Sequence, residues 1–543
     1  MKKELLSFLT AAAVFLLSGC SLSNTDSSQS GKANSSSSGS VSSGGGDSEN
    51  KGSAVAVIDI TTNDQSDKKM DFVTKPVAAH VSEAISTWMP GYVAPPEPYY
   101  EDCTVTVTGT DSKVQLENAV AKVKVRGNWT TNYEKKPLRI KFDRKQSLLG
   151  LNGGAQMKNW VLLACYKDGS MMRDKSALSI AREILGADGL YAADAAFVEV
   201  NINGQYWGMY LLTELQQVNE NRVDITEPEE NYAGTDIGYF LEYDGYYDYE
   251  DDLQKFHVDY NGNAPLVPYD GKDGSGRTMK CLPDGPMDFK KDIGFTIKSD
   301  IYSQAQHDFI ASYVNNVYDI MYHAAYDHEA YEFDSSLSSI SKTDAMTPQE
   351  AVEKVVNVDS LADMYLISEL TCDADIYWSS FFMDADFGPS GDGRLTFEAP
   401  WDFDSGLGNK DRCANGDGFY AANIVPDVDG GPMGGGMYET INPWLAVLMY
   451  EDWYQDLIRE KWTACHDSGI LESTVAAIDS DAQDYKAAFD RNYQRWDNIV
   501  NNYSFVGELS EDARACKTHE ECSNYLRWWL QNRIDFMNAQ WLG

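Results

Sequence analysis

The segment from Glu369 to Lys410 constrains the fold most strongly, because its pattern predicts a β-hairpin with carboxylates at both feet. Residues 377–383 are aromatic-rich and strand-like, residues 388–393 have the composition of a turn, and residues 394–397 run back. Paired strands lie about 5 Å apart, so we expect four aspartates to meet at one end of the hairpin: Asp373, Asp375, Asp402 and Asp404. Two carboxylates about 4 Å apart repel by roughly 4 kcal/mol at an effective dielectric near 20. The cluster therefore needs a shared proton, a basic partner or a divalent cation.

Two predicted strands much earlier in the chain carry an unusual concentration of positive charge. Residues 121–126 and 138–142 alternate with the period of strands. The basic residues fall on one face of each strand: Lys122, Lys124 and Arg126 on the first, Arg139 and Lys141 on the second. Nine of the 44 Lys and Arg residues lie between Lys122 and Lys145, where an even spread would give roughly two. A solvated strand face is the ordinary explanation, but in a chain with a formal net charge of −40 the pattern favours a prepared anion site.

The first 53 residues have the composition of a targeting segment followed by a tether. Met1-Lys2-Lys3 precedes an apolar run that ends in Leu17-Ser18-Gly19-Cys20, a tetrapeptide similar to a bacterial lipobox. Residues 1–20 are therefore predicted to be a lipoprotein signal peptide with lipidation at Cys20; an ordinary secretory signal is the alternative. Residues 21–53 are almost wholly small and polar, which predicts a Ser/Gly-rich disordered linker. We expect an extracytoplasmic protein, lipid-anchored to the bacterial cell membrane.

Composition limits the classes of partner and of site. Hydrophobic residues make up 43% of the chain, which is enough for a sizeable core. The negative charge argues against nucleic acid as a partner, because a phosphate backbone would be repelled. The seven histidines are scattered and no CxxC pair occurs, which argues against a zinc site. Cys516 and Cys522 are spaced to close a short loop if they form a disulfide. No coiled-coil heptad suggests a dimer, so a monomer is expected.

The order of the predicted elements gives an α+β fold class. Asn203-Gly204 stands between two strand-like runs, residues 197–202 and 206–214, and predicts a hairpin with a type I′ turn. A first helix is expected over residues 171–185. Further helices are expected at residues 303–328, 348–370, 444–465, 474–503 and 522–542. The N-terminal part is thus β-rich and the C-terminal part helical.

An ordered series of short motifs resembles the CotH kinase family. Arg126-Gly127-Asn128-Trp129-Thr130, followed by Lys135-Lys136-Pro137-Leu138-Arg139-Ile140-Lys141, is similar to the family's first signature. Later matches follow in the family's order: Asn159-Trp160, Arg173-Asp174-Lys175, Gly208 to Glu214, Asn221-Arg222, Glu242, Asp375, and Trp401-Asp402-Phe403-Asp404 with Gly408. The resemblance covers most of residues 55–408.

The resemblance implies an atypical protein-kinase-like fold, with an N-terminal β-rich part and a C-terminal helical part. Residues 54–116 would form an N-terminal β segment, residues 117–450 the kinase-like domain, and residues 451–543 a helical extension packed on it. The implied activity is phosphoryl transfer from ATP with Mg²⁺ or Mn²⁺ to a Ser or Thr hydroxyl of a protein substrate. Such transfer needs cations on the phosphates, a metal held by carboxylates and a base at the acceptor.

The same resemblance suggests roles for individual residues. Asp375 matches the catalytic aspartate and Asp402 the metal-holding aspartate, while Asp404 is either a second metal contact or a structural carboxylate. The candidates for nucleotide binding are Arg126, Lys141, Arg173 and Glu214. Among these, Lys141 would correspond to the strand lysine of ordinary kinases, and Glu214 would order that lysine or contact the nucleotide. For Asp373, solvation at a helix end is the expected role.

A departure from kinase sequences near Asp375 leaves other functions open. The fifth residue after Asp375 is Ser380, preceded by Ser379, where a kinase has a metal-binding Asn. A serine is a weaker metal ligand, so the number of metals is open. A non-catalytic surface or adhesion lipoprotein that keeps the fold is one alternative, because ATP is scarce outside a cell. A glycan-acting enzyme with a carboxylate pair is another, but a neutral sugar would not require the basic strands.

Overall fold

The computed structural model describes residues 54–269, 293–373, 375–410, 416–423, 425–426, 439–499 and 509–542. The predicted signal peptide with Cys20 and the predicted linker over residues 21–53 lie outside the described residues. The six described cysteines are free thiols, Cys516 and Cys522 among them, so no disulfide closes the short loop in this structure.

The N-terminal part of the chain forms a closed seven-stranded barrel with the order β1-β2-β3-β4-β5-β7-β6. The strands are β1 (Ala56–Thr62), β2 (Glu101–Thr108), β3 (Val114–Val125), β4 (Leu138–Gln146), β5 (Met157–Leu163), β6 (Ala195–Ile202) and β7 (Gln205–Glu214). Alternate side chains such as Val105, Val123 and Ile140 are fully buried, as a period of two requires. The α+β fold class is therefore confirmed. The expected boundary between the N-terminal β segment, residues 54–116, and the kinase-like domain, residues 117–450, falls inside strand β3.

The hairpin of β6 and β7 forms as predicted. Asn203 and Gly204 both have positive φ, 52° and 74°, which a type I′ turn requires at its two central residues. The Asn203 Oδ1 atom also accepts a hydrogen bond of 2.9 Å from the Thr62 backbone N–H at the end of β1. Since β1 and β6 pair in parallel to close the barrel, this turn helps to hold the closure.

A second, five-stranded sheet has the order β14-β13-β8-β10-β9. Its strands are β8 (Gly238–Asp244), β9 (Lys255–Phe256), β10 (Gly294–Ile297), β13 (Phe381–Asp386) and β14 (Thr396–Phe397). The predicted hairpin is confirmed, since Met383 pairs with Phe397. Its first strand begins at Phe381 rather than at residue 377, because residues 375–377 form a 3₁₀ turn. Two small ribbons complete the strands: β11 (Tyr331–Phe333) with β12 (Ile340–Lys342), and β15 (Val425–Pro426) with β16 (Glu439–Thr440).

Helices dominate the rest of the chain. They are α1 (Ala79–Trp88), α2 (Arg173–Ala187), α3 (Gln304–Tyr322), α4 (Pro348–Glu353), α5 (Val358–Thr371), α6 (Asp452–Ser468), α7 (Ile470–Asp484), α8 (Lys486–Arg495) and α9 (His519–Trp541). Single helical turns lie at Asp71–Thr74, Leu151–Gly154, Tyr260–Asn263, Pro443–Ala446 and Glu511–Ala515. Ser303 and Thr347 begin α3 and α4 with capping boxes. The helix predicted over residues 348–370 is divided because Asn357 caps a new helix, α5. Within the described residues, no helix combines the length and the apolar character needed to cross a bilayer.

The last helix is fastened to the helix that leads into the carboxylate cluster. Arg533 of α9 and Glu369 of α5 are both fully buried, and Arg533 Nε donates to the Glu369 carbonyl oxygen at 2.9 Å. The Arg533 Nη2 atom also lies 2.5 Å from Glu369 Oε1. The Glu369 carboxylate accepts further hydrogen bonds of 2.8 Å from the backbone N–H groups of Tyr420 and Ala421. The C-terminal helices therefore fix the end of α5, from which Asp373 and Asp375 follow.

A buried pair of carboxyl groups on the second sheet predicts a pH-dependent stability. Asp384 and Glu398 are each 5% exposed. Burial and the neighbouring Glu398 raise the pKa of Asp384, and burial raises the pKa of Glu398 to about 7. The folded pair thus holds a proton that the unfolded chain releases near pH 4. The contribution of this pair to the free energy of unfolding is therefore fully present below that pH and is lost as the pH rises through about 7.

The variant Asp384→Asn tests this pair, because its amide supplies a permanent donor to Glu398. We expect its free energy of unfolding to exceed that of the wild type by about 1–3 kcal/mol at pH 8 and to match it at pH 5. Urea unfolding at the two pH values measures both quantities. Asp344→Asn, at an exposed position outside this hairpin, is the control and should leave the pH dependence unchanged. An Asp384→Asn protein with the wild-type pH dependence would show that the two carboxyl groups share no proton.

Candidate functional site

Three aspartates converge at the foot of the β13–β14 hairpin. Asp375, Asp402 and Asp404 each place a carboxylate oxygen so that the three atoms lie within 4.8 Å of one another. Asp375 opens the 3₁₀ turn that follows α5, and Asp404 lies in the turn Phe403–Ser405. Asp402 has a φ of 71°, a left-handed conformation that a non-glycine residue rarely adopts. The predicted meeting of the carboxylates is confirmed for these three residues.

Two further carboxylates border the cluster, and one corrects an expectation. Asp373 is not solvated at a helix end but fully buried, and the Tyr420 hydroxyl donates to its carbonyl at 3.0 Å. Its Oδ1 accepts from the Asp375 N–H at 3.1 Å, while its Oδ2 has no hydrogen-bond partner within the described residues. Asp174 of α2 is also buried and accepts from the Phe403 N–H at 3.0 Å. Burial and the neighbouring Asp404 raise its pKa to about 8.

Two cations face the cluster from the barrel side. Lys167, in the loop after β5, lies 3.0 Å from Asp404 Oδ1 and donates to Ser405 Oγ at 2.6 Å. The Arg126 guanidinium lies 5.6 Å from the ring centre of Trp401, in the range of a cation–π contact. Burial lowers the pKa of Arg126, while Asp402 and Glu242 act in the opposite direction. Arg126, a predicted nucleotide-binding residue, thus lies near the carboxylates, and Lys167 adds a cation that sequence reasoning missed.

The pair of serines in place of the kinase Asn has defined partners. Ser379 Oγ donates to Glu242 Oε1 at 3.1 Å, and the Ser380 N–H donates to the same oxygen at 3.1 Å. Lys298 lies 2.9 Å from the other carboxylate oxygen of Glu242. Next to it, burial and Glu242 raise the pKa of Asp244 to about 7. The Ser379 hydroxyl and the Ser380 backbone N–H therefore fix the segment after Asp375 to strand β8.

The other basic residues of β3 and β4 differ in their surroundings. Lys124 pairs with Arg139 across β3 and β4, and burial together with Arg139 and Arg126 lowers the pKa of Lys124. Lys141 is exposed and pairs with Lys122 further along the same strands. No ion pair of Lys141 occurs among the described residues. Its predicted role as the strand lysine of a kinase stays a prediction.

The positions of Arg173 and Glu214 do not support direct contact with a nucleotide. Arg173 is 1% exposed, forms an ion pair with Asp168, and donates from Nε to the Leu407 carbonyl at 3.2 Å. Glu214 is fully buried, pairs with Arg222 at 3.4 Å and accepts from the Asp194 N–H at 3.1 Å. Both side chains have partners inside the protein: Arg173 holds the Leu407 carbonyl after Asp404, and Glu214 pairs with Arg222.

The donor set fits a hard divalent cation. Mg²⁺ and Mn²⁺ prefer oxygen ligands such as carboxylates, and Asp375, Asp402 and Asp404 each offer a carboxylate oxygen. Burial and the neighbouring Asp375 and Asp404 raise the pKa of Asp402 well above its usual range, because desolvation and like-charge repulsion both disfavour the ionised form. A cation held by Asp402 and Asp404 would relieve that repulsion.

Comparison with known sequences identifies the family of this chain. The sequence model of the family described as CotH kinase protein matches residues 123–537. This range begins in β3, ends in α9 and includes the three-aspartate cluster, Arg126 and Lys167; β1, β2 and α1 precede it. No curated protein matches the chain at a significant level. Because the matched residues make up most of the chain, the protein belongs to the CotH kinase family.

Proposed function

We propose that this protein is a kinase-like phosphotransferase that moves the γ-phosphoryl group of ATP to a Ser or Thr hydroxyl of a protein substrate, with Mg²⁺ or Mn²⁺. The observation that carries the proposal is the convergence of Asp375, Asp402 and Asp404 within 4.8 Å. Family membership and the cations Arg126 and Lys167 beside the cluster support it. The atypical kinase-like fold belongs to the same proposal, with the barrel in the place of the β-rich part.

Each residue of the cluster has a distinct part in this mechanism. Asp402 and Asp404 would hold the metal, which when bound neutralises phosphate charge. Lys167 keeps the Asp404 carboxylate oriented through its 3.0 Å ion pair. Arg126, stacked on Trp401, presents its planar guanidinium for bidentate contact with phosphate oxygens. Asp375 accepts the proton of the acceptor hydroxyl, as the catalytic aspartate of kinases does.

The cellular setting is also proposed. The lipobox-like Leu17-Ser18-Gly19-Cys20 and the Ser-rich residues 21–53 support a protein tethered to the outer face of the bacterial membrane through lipidated Cys20. That the tethered protein is a monomer is part of the same proposal. Mass spectrometry of the N-terminal peptide from membranes checks this: a lipid on Cys20 is expected, and an unmodified N-terminus would contradict it.

The second candidate is a non-catalytic surface protein that keeps the metal site for stability. The contacts of the Ser379 hydroxyl and the Ser380 backbone N–H with Glu242 favour it, because they fix to β8 a segment that a kinase uses to hold a second metal. The two candidates differ in nucleotide dependence. A kinase binds ATP together with the metal, whereas a metal-stabilised surface protein binds the metal alone.

Thermal unfolding with Mg²⁺ or Mn²⁺, with and without ATP, tests the proposal. Ligand at about 100 times its dissociation constant stabilises by about 2.7 kcal/mol, so ATP with metal should raise the Tm of the wild type by about 3–5 °C. Asp402→Ala should lose this shift, and Asp392→Ala, at an exposed turn position, should keep it. Stabilisation by metal alone, unaffected by ATP, would favour the non-catalytic candidate.

A further inference from the structure

Helix α1 lies in the connection between β1 and β2, before the first residue that the family model matches. Its buried side packs on the loop that carries Arg126. Val77, Ala78, Val81 and Ile85 form a small apolar cluster with Trp129 of that loop. The Ala78 N–H also donates to the buried Thr131 Oγ1 at 2.9 Å. One side of α1 is thus attached to the barrel loop over residues 126–132.

The first turn of α1 contacts a second loop, the one that follows β8. The His80 ring centre lies 5.0 Å from that of Tyr246 and 5.2 Å from that of Tyr249, within the range of favourable aromatic pairs. Both tyrosines belong to the loop after β8. The His80 Nε2 atom is buried and has no hydrogen-bond partner within the described residues. Ring contact therefore accounts for how His80 holds this loop.

From Tyr246 the contacts continue to the catalytic aspartate. Tyr246 meets Trp378 edge to face, with ring centres 6.0 Å apart. The adjacent Gly245 donates from its N–H to the Trp378 carbonyl at 2.6 Å, and a Cβ at Gly245 would lie 2.4 Å from the indole ring. The Trp378 N–H in turn donates to the Asp375 carbonyl at 2.7 Å. No side chain larger than glycine fits between this loop and the turn that carries Asp375.

We propose that α1 is a strap across the site and that His80 is a positioning residue, which acts on Asp375 through Tyr246 and Trp378. The strap joins the loop that carries Arg126 to the loop that supports Asp375. It therefore sets the distance between Arg126, which would contact the phosphates, and Asp375, which would accept the proton of the acceptor hydroxyl. The activity part of this inference rests on the proposed function; the structural part does not.

The variants His80→Ala and His80→Phe test whether the ring contact of His80 holds the loop after β8. Hydrogen exchange of the backbone amides in residues 244–250 should be about three- to tenfold faster in His80→Ala. His80→Phe should restore wild-type exchange, because the ring contact needs no hydrogen bond. Thr87→Ala, at an exposed position of α1, is the matched control. Wild-type exchange in His80→Ala would overturn the strap.

Turnover gives the second readout. His80→Ala should lower kcat about tenfold or more with little change in KM for ATP, keep its Tm within about 2 °C, and recover in His80→Phe. A His80→Phe protein with normal exchange but low kcat would contradict a positioning role and indicate proton transfer by the imidazole. If the wild type itself transfers no phosphate, the proposed function fails, while the exchange experiment still decides whether the strap exists.

Discussion

Asp375→Asn is expected to lower the rate of phosphoryl transfer by about 10²- to 10⁴-fold, the contribution that a positioned general base makes. Asparagine keeps the size of the side chain, and the fold of this turn depends on the main chain. The Asp375 carbonyl accepts from the N–H groups of Trp378 and Ser379, both at 2.7 Å. The measurement is kcat for ADP formation with a Ser-rich acceptor, together with the ATP-dependent shift in Tm.

The two readouts distinguish a base from a metal ligand. A base is required for transfer only, so Asp375→Asn should keep the ATP-dependent shift while losing turnover. Asp392→Asn is the matched control and should keep both. Loss of the shift together with turnover would show that Asp375 holds the metal, as its membership of the 4.8 Å cluster permits. Unchanged turnover would remove Asp375 from the mechanism.

Arg533→Ala is expected to have the largest effect on stability, about 3–5 kcal/mol in the free energy of unfolding. The substitution leaves the Glu369 carboxylate fully buried without its cation, and an uncompensated buried charge is costly. It also removes hydrogen bonds to the carbonyl groups of Glu369, Gly416 and Gly418. Urea unfolding followed by far-UV circular dichroism measures the loss.

A second arginine on the same helix provides the control for Arg533. Arg527 pairs with Asp479 at 3.1 Å, and both side chains are about half exposed. Exposed ion pairs contribute about 0–1 kcal/mol, so Arg527→Ala should change stability by less than 1 kcal/mol. Equal effects of the two substitutions would show that the Arg533–Glu369 pair does not hold α5 and α9 together.

Local patterns predicted the hairpins and the cluster, because turn chemistry and the period of strands act over a few residues. Asn203-Gly204 defines its own turn, and the pairing of β13 with β14 brings the segments that carry Asp375 and Asp402 together. The closure of the barrel could not be predicted in this way. The parallel pairing of β1 with β6 joins segments about 140 residues apart, and no local pattern encodes such a partner.

The unexpected burial of Arg173 and Glu214 and the omission of Lys167 have the same origin. Arg173 and Glu214 look like free charges in the sequence, but both are buried against partners that only tertiary packing brings close, such as the Leu407 carbonyl for Arg173. Lys167 was missed because it stands alone in a loop, and its partner Asp404 lies far along the chain. One feature of the sequence could have indicated Lys167. It is followed directly by Asp168 within Ala164 to Met172, a segment otherwise typical of a core, where charged residues need a partner.

Transfer of isotopically labelled phosphate from the γ position of ATP tests the central claim most directly. The wild-type protein, including residues 21–53, is incubated with labelled ATP and Mg²⁺ or Mn²⁺, alone and with a Ser-rich peptide, and Asp402→Ala is treated in parallel. We predict label on Ser or Thr hydroxyls of the protein or the peptide, located by mass spectrometry, only with metal and not with Asp402→Ala. Absence of label from the wild type with either metal, or equal labelling by Asp402→Ala, would contradict the account.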